Sequence, residues 1–336
     1  MRAALLKEVY EIEITDVPEV YPKAGEVKIQ VKLTGICGSE IHAFKGTHPY
    51  RKPPVILGHE LAGDVVEVGA GVTEFKVGDR VIVEPQIACG KCPLCAQNLT
   101  NLCDNKIVLG TSQWSGSFAE YIVAPTSVVY KLPESLSYAQ GVMVEPLAVG
   151  VHAVRVSDMR LGDNVLVLGA GTIGLVTLLA AKAAGAKNIY VTDVAEYNLK
   201  VAEELGAVKG INVAKENPLE AIGSDKIDVV FVTAGLGPVV QQALQTVRKR
   251  GQVVIIALFD GPIQLEMFPI TGKEIDIRGC MMYTGDDFQK TIDLMTSGQI
   301  NVDPLISEIL DIEETQQGLE IVDQKTKDAI KVLLKF

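Results

Sequence analysis

Apolar and polar residues alternate along several short stretches of the N-terminal part of the chain. The pattern is clearest over residues 27–33, and it recurs over 64–69 and 80–83 with glycine-rich turns between the stretches. Strict alternation is typical of strands that are buried on one face only. We therefore predict an antiparallel, barrel-like β region over residues 1–87, with the strand pattern returning at 121–123.

The pattern changes after Asp163, where fully apolar segments alternate with helix-like segments. Continuous apolar runs are typical of strands in a parallel sheet, which is covered on both faces. Strands are predicted at 165–168, 188–192, 228–232, 252–258, 275–279 and 330–333, and helices at 137–153, after the glycine-rich segment 169–174 to about 185, at 238–249 and at 286–297. The last strand is predicted to rejoin the first domain. The fold class is therefore α/β, with a β-rich domain and a doubly wound parallel-sheet domain.

Composition narrows the class of protein. The length of 336 residues exceeds that of a usual single domain, so two domains are expected. A formal net charge of -11 argues against nucleic acid and anionic membranes as partners. Charged residues come too early for a signal peptide, and no apolar run reaches membrane-spanning length. Six cysteines in such a chain indicate a reducing compartment, so we expect a cytoplasmic location.

Four cysteines give the strongest local signal. They follow the spacing C-x2-C-x2-C-x7-C, at Cys89, Cys92, Cys95 and Cys103. Four thiolates this close can bind one tetrahedral zinc and leave no coordination position open, so the spacing predicts a structural zinc. Two disulfides and an iron–sulfur cluster are the alternatives. The expected reducing compartment disfavours the first, and the missing proline context of the fourth cysteine disfavours the second.

A second group of metal-ligand residues lies beside two glycine-rich turns. Cys37 is flanked by glycines in the first, and His59 and Glu60 follow the second. Thiolate, imidazole and carboxylate are ligands of catalytic zinc, which keeps one position open. A buried cysteine and a core histidine are the alternative interpretation. Glu145 lies in an apolar segment, where a carboxylate needs a cation or partner, although an acid at a helix N-terminus is also common.

A glycine-rich segment links a predicted strand to a predicted helix. Its sequence is Gly169-Ala170-Gly171-Thr172-Ile173-Gly174, and Asp193 follows 19 residues after its last glycine. This combination is the dinucleotide-binding fingerprint, in which the helix N-terminus faces the pyrophosphate and the acid accepts hydrogen bonds from the adenosine ribose. A mononucleotide site or an empty Rossmann domain is the alternative. Leu258 and Met282 fall at predicted strand ends, where nucleotides bind in such sheets.

In their order and spacing, these motifs resemble the zinc-dependent medium-chain dehydrogenases, in the branch of the sorbitol, xylitol, threonine and butanediol dehydrogenases. The resemblance implies a GroES-like catalytic domain from residues 1–148 and 285–336, with a zinc lobe at about 88–104. It implies a Rossmann NAD-binding domain from residues 149–284. It also implies a catalytic zinc on Cys37, His59 and Glu60, with Glu145 as a direct ligand or the partner of the bound water.

The resemblance also implies an activity. Such an enzyme transfers a hydride between a secondary alcohol, here a polyol, sugar alcohol or cyclitol, and NAD, giving the ketone. Ser39 and His42 match the proton relay of the family, whereas His48 and His152 are interpreted as packing residues. Asp193 is predicted to select NAD over NADP, and Asn198 stands where relatives often have an arginine, so no cation there offsets the acid. We expect a homo-oligomer, either a dimer or a tetramer.

Alternatives remain open for the substrate and for the function. Threonine or butanediol dehydrogenase is the alternative within the family, and a non-catalytic NAD- and zinc-binding sensor is the alternative of another class. The cysteine lobe, Ala43 and Met282 depart from the animal sorbitol dehydrogenases. Arg51 and Lys52 suit an anionic substrate group, but the favoured interpretation is two solvated surface cations.

Overall fold

The alternating stretches at 27–33 and 64–69 form two neighbouring strands, β3 (Glu26–Gly35) and β5 (Glu60–Val68). They pair antiparallel, and Gly35 lies opposite Glu60 at one end of the pair. The structure is a computed structural model that describes residues 1–259, 261–324 and 327–336. Residues on the inner faces of these strands, among them Val27, Ile29 and Leu61, pack in one of the hydrophobic cores.

The chain divides into two compact units. One consists of Met1–Glu145, Thr284–Ser297 and Ile306–Phe336, and the other of Pro146–Tyr283 and Gly298–Leu305. The predicted domains differ from these units mainly at Gly298–Leu305, which the sequence interpretation grouped with the first domain.

The first unit is rich in β structure. Its strands include β1 (Arg2–Glu8), β2 (Glu11–Asp16), β4 (Val55–Ile56), β6 (Arg80–Val83), β7 (Gln86–Ile87), β8 (Ile107–Val108), β9 (Tyr121–Pro125), β10 (Val129–Lys131), β17 (Ile306–Asp311) and β18 (Lys331–Lys335). Its helices include α1 (Gly38–Phe44), α2 (Pro93–Ala96), α3 (Tyr138–Val142), α10 (Gly285–Thr296) and α11 (Thr315–Gln324). The main sheet has the order β10-β6-β5-β3-β18-β17, with β9 also on β3, and a smaller sheet has the order β2-β1-β4. The C-terminal strand β18 thus rejoins the sheet of the N-terminal part, antiparallel to β3.

The second unit holds a six-stranded parallel sheet. Its strands are β11 (Asn164–Leu168), β12 (Asn188–Asp193), β13 (Lys209–Asn212), β14 (Ile227–Val232), β15 (Val247–Ile255) and β16 (Asp276–Gly279). Its helices include α5 (Thr172–Ala183), α6 (Glu196–Leu205), α7 (Pro218–Ile222), α8 (Gly237–Thr246) and α9 (Phe268–Lys273), and α4 (Val144–Val156) enters it from the first unit. The strand order β13-β12-β11-β14-β15-β16 is that of a doubly wound Rossmann sheet.

Two predicted helices have different bounds in the structure. The helix predicted at 137–153 is divided into α3 and α4, because Pro146 lacks an N–H and fits only in the first turn of a new helix. The helix predicted at 238–249 ends at Thr246, because Val247 already pairs with Ile227 in the sheet. Sheet pairing overrides local helical preference at this position.

Candidate active site

The pairing of β3 with β5 places the first group of metal-ligand residues. Cys37 is the residue before α1, two positions after the end of β3, and His59 directly precedes β5. Since Gly35 lies opposite Glu60, the segments that carry Cys37 and His59 leave the sheet side by side. Ligand atoms of Cys37, Glu40 and His59 lie within 4.8 Å of one another.

Glu40 orients this group. Its carboxylate is fully buried, and Oε1 lies 2.6 Å from His59 Nδ1 while Oε2 accepts the backbone N–H of Cys37 at 2.9 Å. Burial alone would raise the pKa of Glu40, but the His59 ring and the Arg51 guanidinium lower it to about 2. An ionised Glu40 accepts from Nδ1–H, which leaves Nε2 of His59 to bind a metal. The sequence interpretation assigned no role to Glu40.

Glu60 is held by a cation from the other end of the chain. Lys331 Nζ in β18 lies 2.7 Å from each carboxylate oxygen of Glu60 and 3.2 Å from Ile36 O, and both side chains are buried. Burial alone would lower the pKa of Lys331, but Glu60 and the Cys37 sulfur raise it. A Cβ at Gly35 would overlap with Glu60 Oε2, so only glycine leaves room for this pair. The sequence interpretation missed Lys331, whose one signal is a charged residue within an apolar strand.

Glu145 approaches the same place from a helix N-terminus. It lies in the first turn of α4 and is 7% exposed. Ligand atoms of His59, Glu60 and Glu145 lie within 4.8 Å of one another. The four residues predicted for the catalytic zinc thus fall in two groups that share His59. A thiol, an imidazole and carboxylates are a donor set that suits zinc.

The two predicted relay residues lie on α1. Ser39 Oγ accepts a hydrogen bond from Arg51 Nη1 at 2.6 Å, and His42 Nδ1 is 3.2 Å from Thr47 Oγ1. Arg51 is 3% exposed, so its interpretation as a solvated surface cation was wrong. The neighbouring Lys52 is exposed, as that interpretation required.

The remaining histidines have packing contacts. Nδ1 of the buried His48 accepts the backbone N–H groups of Tyr50 and Arg51, and burial lowers the pKa of His48 to about 4. His152 is buried within α4, near Arg155 of the same helix.

The four cysteines of the lobe converge on one point. The sulfur of Cys92 lies 3.5 Å from that of Cys95 and 3.9 Å from that of Cys103, and Cys89 lies 3.9 Å from Cys95. Four sulfurs bound to one zinc at about 2.3 Å would be separated by about 3.8 Å. All four are free thiols rather than disulfides. Backbone N–H groups of Lys91 and Cys92 lower the pKa of Cys89 to about 6, which favours the thiolate that a metal binds.

The glycine-rich segment of the second unit adopts a strand–turn–helix geometry. Gly169 has a φ of +111°, a conformation that favours glycine, and a Cβ at Gly174 would overlap with the carbonyl oxygen of Gly169. Gly171 precedes α5, and a Cβ there would meet no atom within 4 Å. Thr172 and Ile173 form the first turn of that helix. The loop is thus open at the position where a pyrophosphate approaches in this motif.

Asp193 and Asn198 both contact this loop. Asp193 Oδ2 accepts the Ala170 N–H at 2.7 Å, and Oδ1 accepts those of Val194 and Ala195 at 2.7 and 2.9 Å. Asn198 Nδ2 donates to Ala170 O at 3.0 Å. A carboxylate has about four acceptor sites, so one stays available beyond these three bonds.

Leu258 and Met282 follow the carboxyl ends of β15 and β16. Leu258 is 70% exposed, and Met282 is half-buried with a φ of +50°. Both positions agree with the predicted strand ends, although the strand predicted at 252–258 ends at Ile255.

Comparison with known proteins identifies what the chain is similar to. The family model of the alcohol dehydrogenase GroES-like domain matches residues 23–134, and that of the zinc-binding dehydrogenase matches residues 172–297. Sorbitol dehydrogenase of Bacillus subtilis (strain 168) is 36% identical over 99% of this chain and 97% of its own length.

Solved structures of dehydrogenases are also similar to this chain. The 2R,3R-butanediol dehydrogenase from Bacillus subtilis has a TM-score of 0.92 and 34% identity, covering 100% of this chain and 99% of that one. A structure described as a short chain alcohol dehydrogenase from Escherichia coli CFT073, complexed with NADH, has a TM-score of 0.94 and 31% identity, with 100% and 99% covered. No helix among the described residues is long and apolar enough to cross a membrane.

Proposed function

Because the chain belongs to the zinc-dependent medium-chain dehydrogenase family, we propose that it transfers a hydride between a secondary alcohol and NAD, giving the ketone. The family models and solved relatives confirm the predicted family and the predicted fold class. The substrate class we propose is a polyol, sugar alcohol or cyclitol, supported by the similarity to a sorbitol dehydrogenase.

The observation that carries this proposal is that two groups of ligand residues in the first unit share His59, one with Cys37 and the other with Glu60 and Glu145. These residues would hold a zinc ion, which would supply a Lewis acid that lowers the pKa of the bound alcohol. Lys331 engages both oxygens of Glu60, and this favours Glu145 as the carboxylate that faces the metal. Glu60 keeps acceptor sites beyond the two that Lys331 occupies, so it stays a candidate ligand.

Residues of α1 handle the proton in this proposal. Ser39 passes the alcohol proton on through its hydroxyl, and His42 carries it out. An imidazole can both accept and donate a proton, which suits such a role. Glu40 keeps Nε2 of His59 directed to the metal by accepting from Nδ1.

NAD is proposed to bind at the glycine loop of the second unit. Gly169, Gly171 and Gly174 shape the loop, and the N–H groups of Thr172 and Ile173 at the start of α5 face the pyrophosphate. The fourth acceptor site of Asp193 takes a ribose hydroxyl, while Asn198 supports the loop. Leu258 and Met282 are proposed to contact the nucleotide from the strand ends.

Three further properties belong to the proposal. The lobe cysteines hold a second, structural zinc, in agreement with their sulfur separations. A cytoplasmic location is supported by six cysteines that are all free thiols. A homo-oligomer, dimer or tetramer, is proposed and can be tested by light scattering.

A substrate panel tests the activity. Zinc-loaded protein is mixed with NAD and with polyols, phosphorylated polyols, threonine and butanediol, and NADH is followed by its absorbance. We expect turnover with at least one polyol and none by the Cys37→Ala variant. Preference for butanediol would favour the alternative function of a butanediol dehydrogenase, which the similarity to the solved 2R,3R-butanediol dehydrogenase supports. Protein that holds both zinc ions and binds NAD but oxidises no secondary alcohol would contradict the proposal and favour a sensor.

A further inference from the structure

Arg51 is a charged side chain that lies almost completely inside the first unit. Its side chain is 3% exposed, whereas the neighbouring Lys52 is exposed and donates to Gly46 O. Arg51 Nη1 donates to Ser39 Oγ at 2.6 Å, and Nη2 donates to Leu109 O at 3.1 Å. The guanidinium therefore contacts the proposed relay hydroxyl directly.

The same guanidinium reaches the carboxylate that orients a metal ligand. Arg51 Nη1 lies 3.5 Å from Glu40 Oε1, and this oxygen lies 2.6 Å from His59 Nδ1. The backbone N–H of Arg51 donates to Nδ1 of the buried His48 at 3.1 Å, which fixes the turn that carries the arginine. One side chain thus connects Ser39 to the Glu40–His59 pair.

Stability alone does not account for this arginine. Within the described part of the chain, Arg51 Nε is buried and has no hydrogen-bond partner. An unsatisfied buried donor costs about 1–3 kcal/mol, and well-packed apolar residues often replace buried charges without loss of stability. An apolar side chain cannot supply directed N–H groups to Ser39 and Glu40.

We propose that Arg51 is a positioning residue that fixes the Ser39 hydroxyl and the Glu40–His59 pair in one hydrogen-bonded network. A serine hydroxyl has one proton and two acceptor lone pairs. Because an Arg51 N–H occupies one lone pair, the Ser39 proton points away from the guanidinium and stays available to the next acceptor. The guanidinium charge also polarises the O–H bond and makes it a stronger donor.

The first test rests on the proposed function and uses one secondary alcohol that the enzyme oxidises. Arg51→Met should lower kcat by roughly tenfold or more, with the KM for NAD within about twofold, because the loss lies in proton transfer. With zinc saturating in every assay, the same change in a Ser39→Ala background should lower kcat by less than about twofold, because the link to Ser39 is already lost and the effect on zinc affinity no longer limits turnover. Lys52→Met is the matched control and should leave kcat unchanged.

The second test does not depend on turnover. Zinc affinity of the full chain is measured by competition with a chromophoric chelator. The Cys37→Ala variant, which is expected to keep only the lobe zinc, gives the competition curve of that site alone. Changing a residue that supports a metal-binding histidine typically weakens metal binding about 10–100-fold. Arg51 acts one contact further away, so Arg51→Met should weaken zinc binding by about threefold or more. Arg51→Lys, which keeps the charge, should weaken it less.

Each test can overturn a different link of the network. If Arg51→Met lowers kcat equally in the protein with Ser39 and in the Ser39→Ala variant, the link to Ser39 is overturned. If the zinc affinity of Arg51→Met stays within about twofold of wild type, the link to Glu40 is overturned. If Arg51→Met does not fold, Arg51→Gln carries both tests with the same thresholds, because a neutral amide reproduces neither the charge nor the forked donors of the guanidinium. If the protein oxidises no secondary alcohol, the proposed function is contradicted. If Arg51→Met still weakens zinc binding in that case, the network at Glu40 is supported.

Discussion

The ion pair between Glu60 and Lys331 is the most deeply buried charge contact at the candidate metal site. All three protons of the ammonium have acceptors, two on Glu60 and one on the Ile36 carbonyl. The two side chains come from β5 and β18 of the main sheet, and each of these strands pairs with β3 between them. Breaking such a pair leaves one charge buried without its partner.

We predict that Lys331→Met lowers the free energy of unfolding by about 3–5 kcal/mol, because Glu60 then remains buried without a cation. Urea unfolding of the zinc-free protein measures this change. Adding Glu60→Gln should recover part of the loss. Lys335→Met is the control, since its exposed pair with Asp311 contributes at most about 1 kcal/mol. Equal losses for the two lysines would contradict the argument.

Asp193 has two roles at the residue scale. Three backbone N–H groups already bind its carboxylate, so it shapes the glycine loop in addition to its proposed role toward the ribose. In NADP a phosphate replaces the 2′-hydroxyl, and two like charges about 4 Å apart repel by roughly 4 kcal/mol at a dielectric of 20. The three cations that follow, Lys200, Lys209 and Lys215, are paired with Glu204, Glu216 and Glu196.

We predict that the wild-type enzyme prefers NAD and that Asp193→Asn reduces this preference by about tenfold or more, since half of that repulsion already exceeds a factor of ten. Asparagine keeps the shape of the side chain and removes its charge, so the loop is disturbed less than by Asp193→Ser. The measurement is kcat/KM for both cofactors with one alcohol. Equal wild-type values for NAD and NADP would show that the carboxylate does not face the ribose.

At the scale of elements, the cysteine lobe has little apolar packing of its own. Its four-residue helix α2 has no buried residue, and Cys103 is the one buried cysteine of the four. A segment of this kind depends on its metal, because a structural zinc contributes folding free energy directly. Asn98 of the lobe also donates to Asp286 at the start of α10, so disorder in the lobe would reach that helix.

We therefore predict that Cys95→Ser lowers the zinc content from about two to about one per chain and lowers the melting temperature, because three thiolates bind zinc more weakly than four. Substrate preference should change less than stability does. Metal analysis and thermal unfolding give the two readouts. A content of about one zinc per chain in the wild-type protein would contradict the proposal of two zinc sites.

At the scale of the whole molecule, the two sets of functional residues belong to different compact units. Cys37, His59, Glu60 and Glu145 lie in the first unit, and the glycine loop and Asp193 lie in the second. Each unit has hydrophobic core clusters of its own, around Phe44 and Phe118 in the first and Val230 and Leu244 in the second.

We predict that Cys37→Ala abolishes turnover and removes about one zinc per chain, while the Kd for NAD stays within about twofold, because a catalytic zinc depends on its thiolate and the nucleotide residues do not. Metal analysis and fluorescence titration with NADH measure these effects. Cys280→Ser is the cysteine control and should keep both zinc ions. Loss of NADH binding in a variant that unfolds like wild type would contradict this separation.

The local motifs of this protein were determined by its sequence alone. The cysteine spacing predicts four sulfurs around one point, and they lie 3.5–3.9 Å apart where sulfur contacts occur. The glycine fingerprint predicts a strand, a tight turn and a helix, and these are β11, the turn at Gly169 and α5. Such motifs are predictable because residues close in the chain impose their geometry through short-range backbone constraints and ligand spacing.

Only the tertiary structure decided what surrounds those motifs. Lys331 is far from Glu60 along the chain, and no local pattern indicates that β18 lies beside β3 and brings an ammonium to the carboxylate. Arg51 is predicted to be an exposed cation because charged residues are usually exposed, yet the fold buries it against Ser39 and Glu40. These contacts depend on sheet pairing and burial, which join residues distant in sequence, and single-residue preferences carry no information about them.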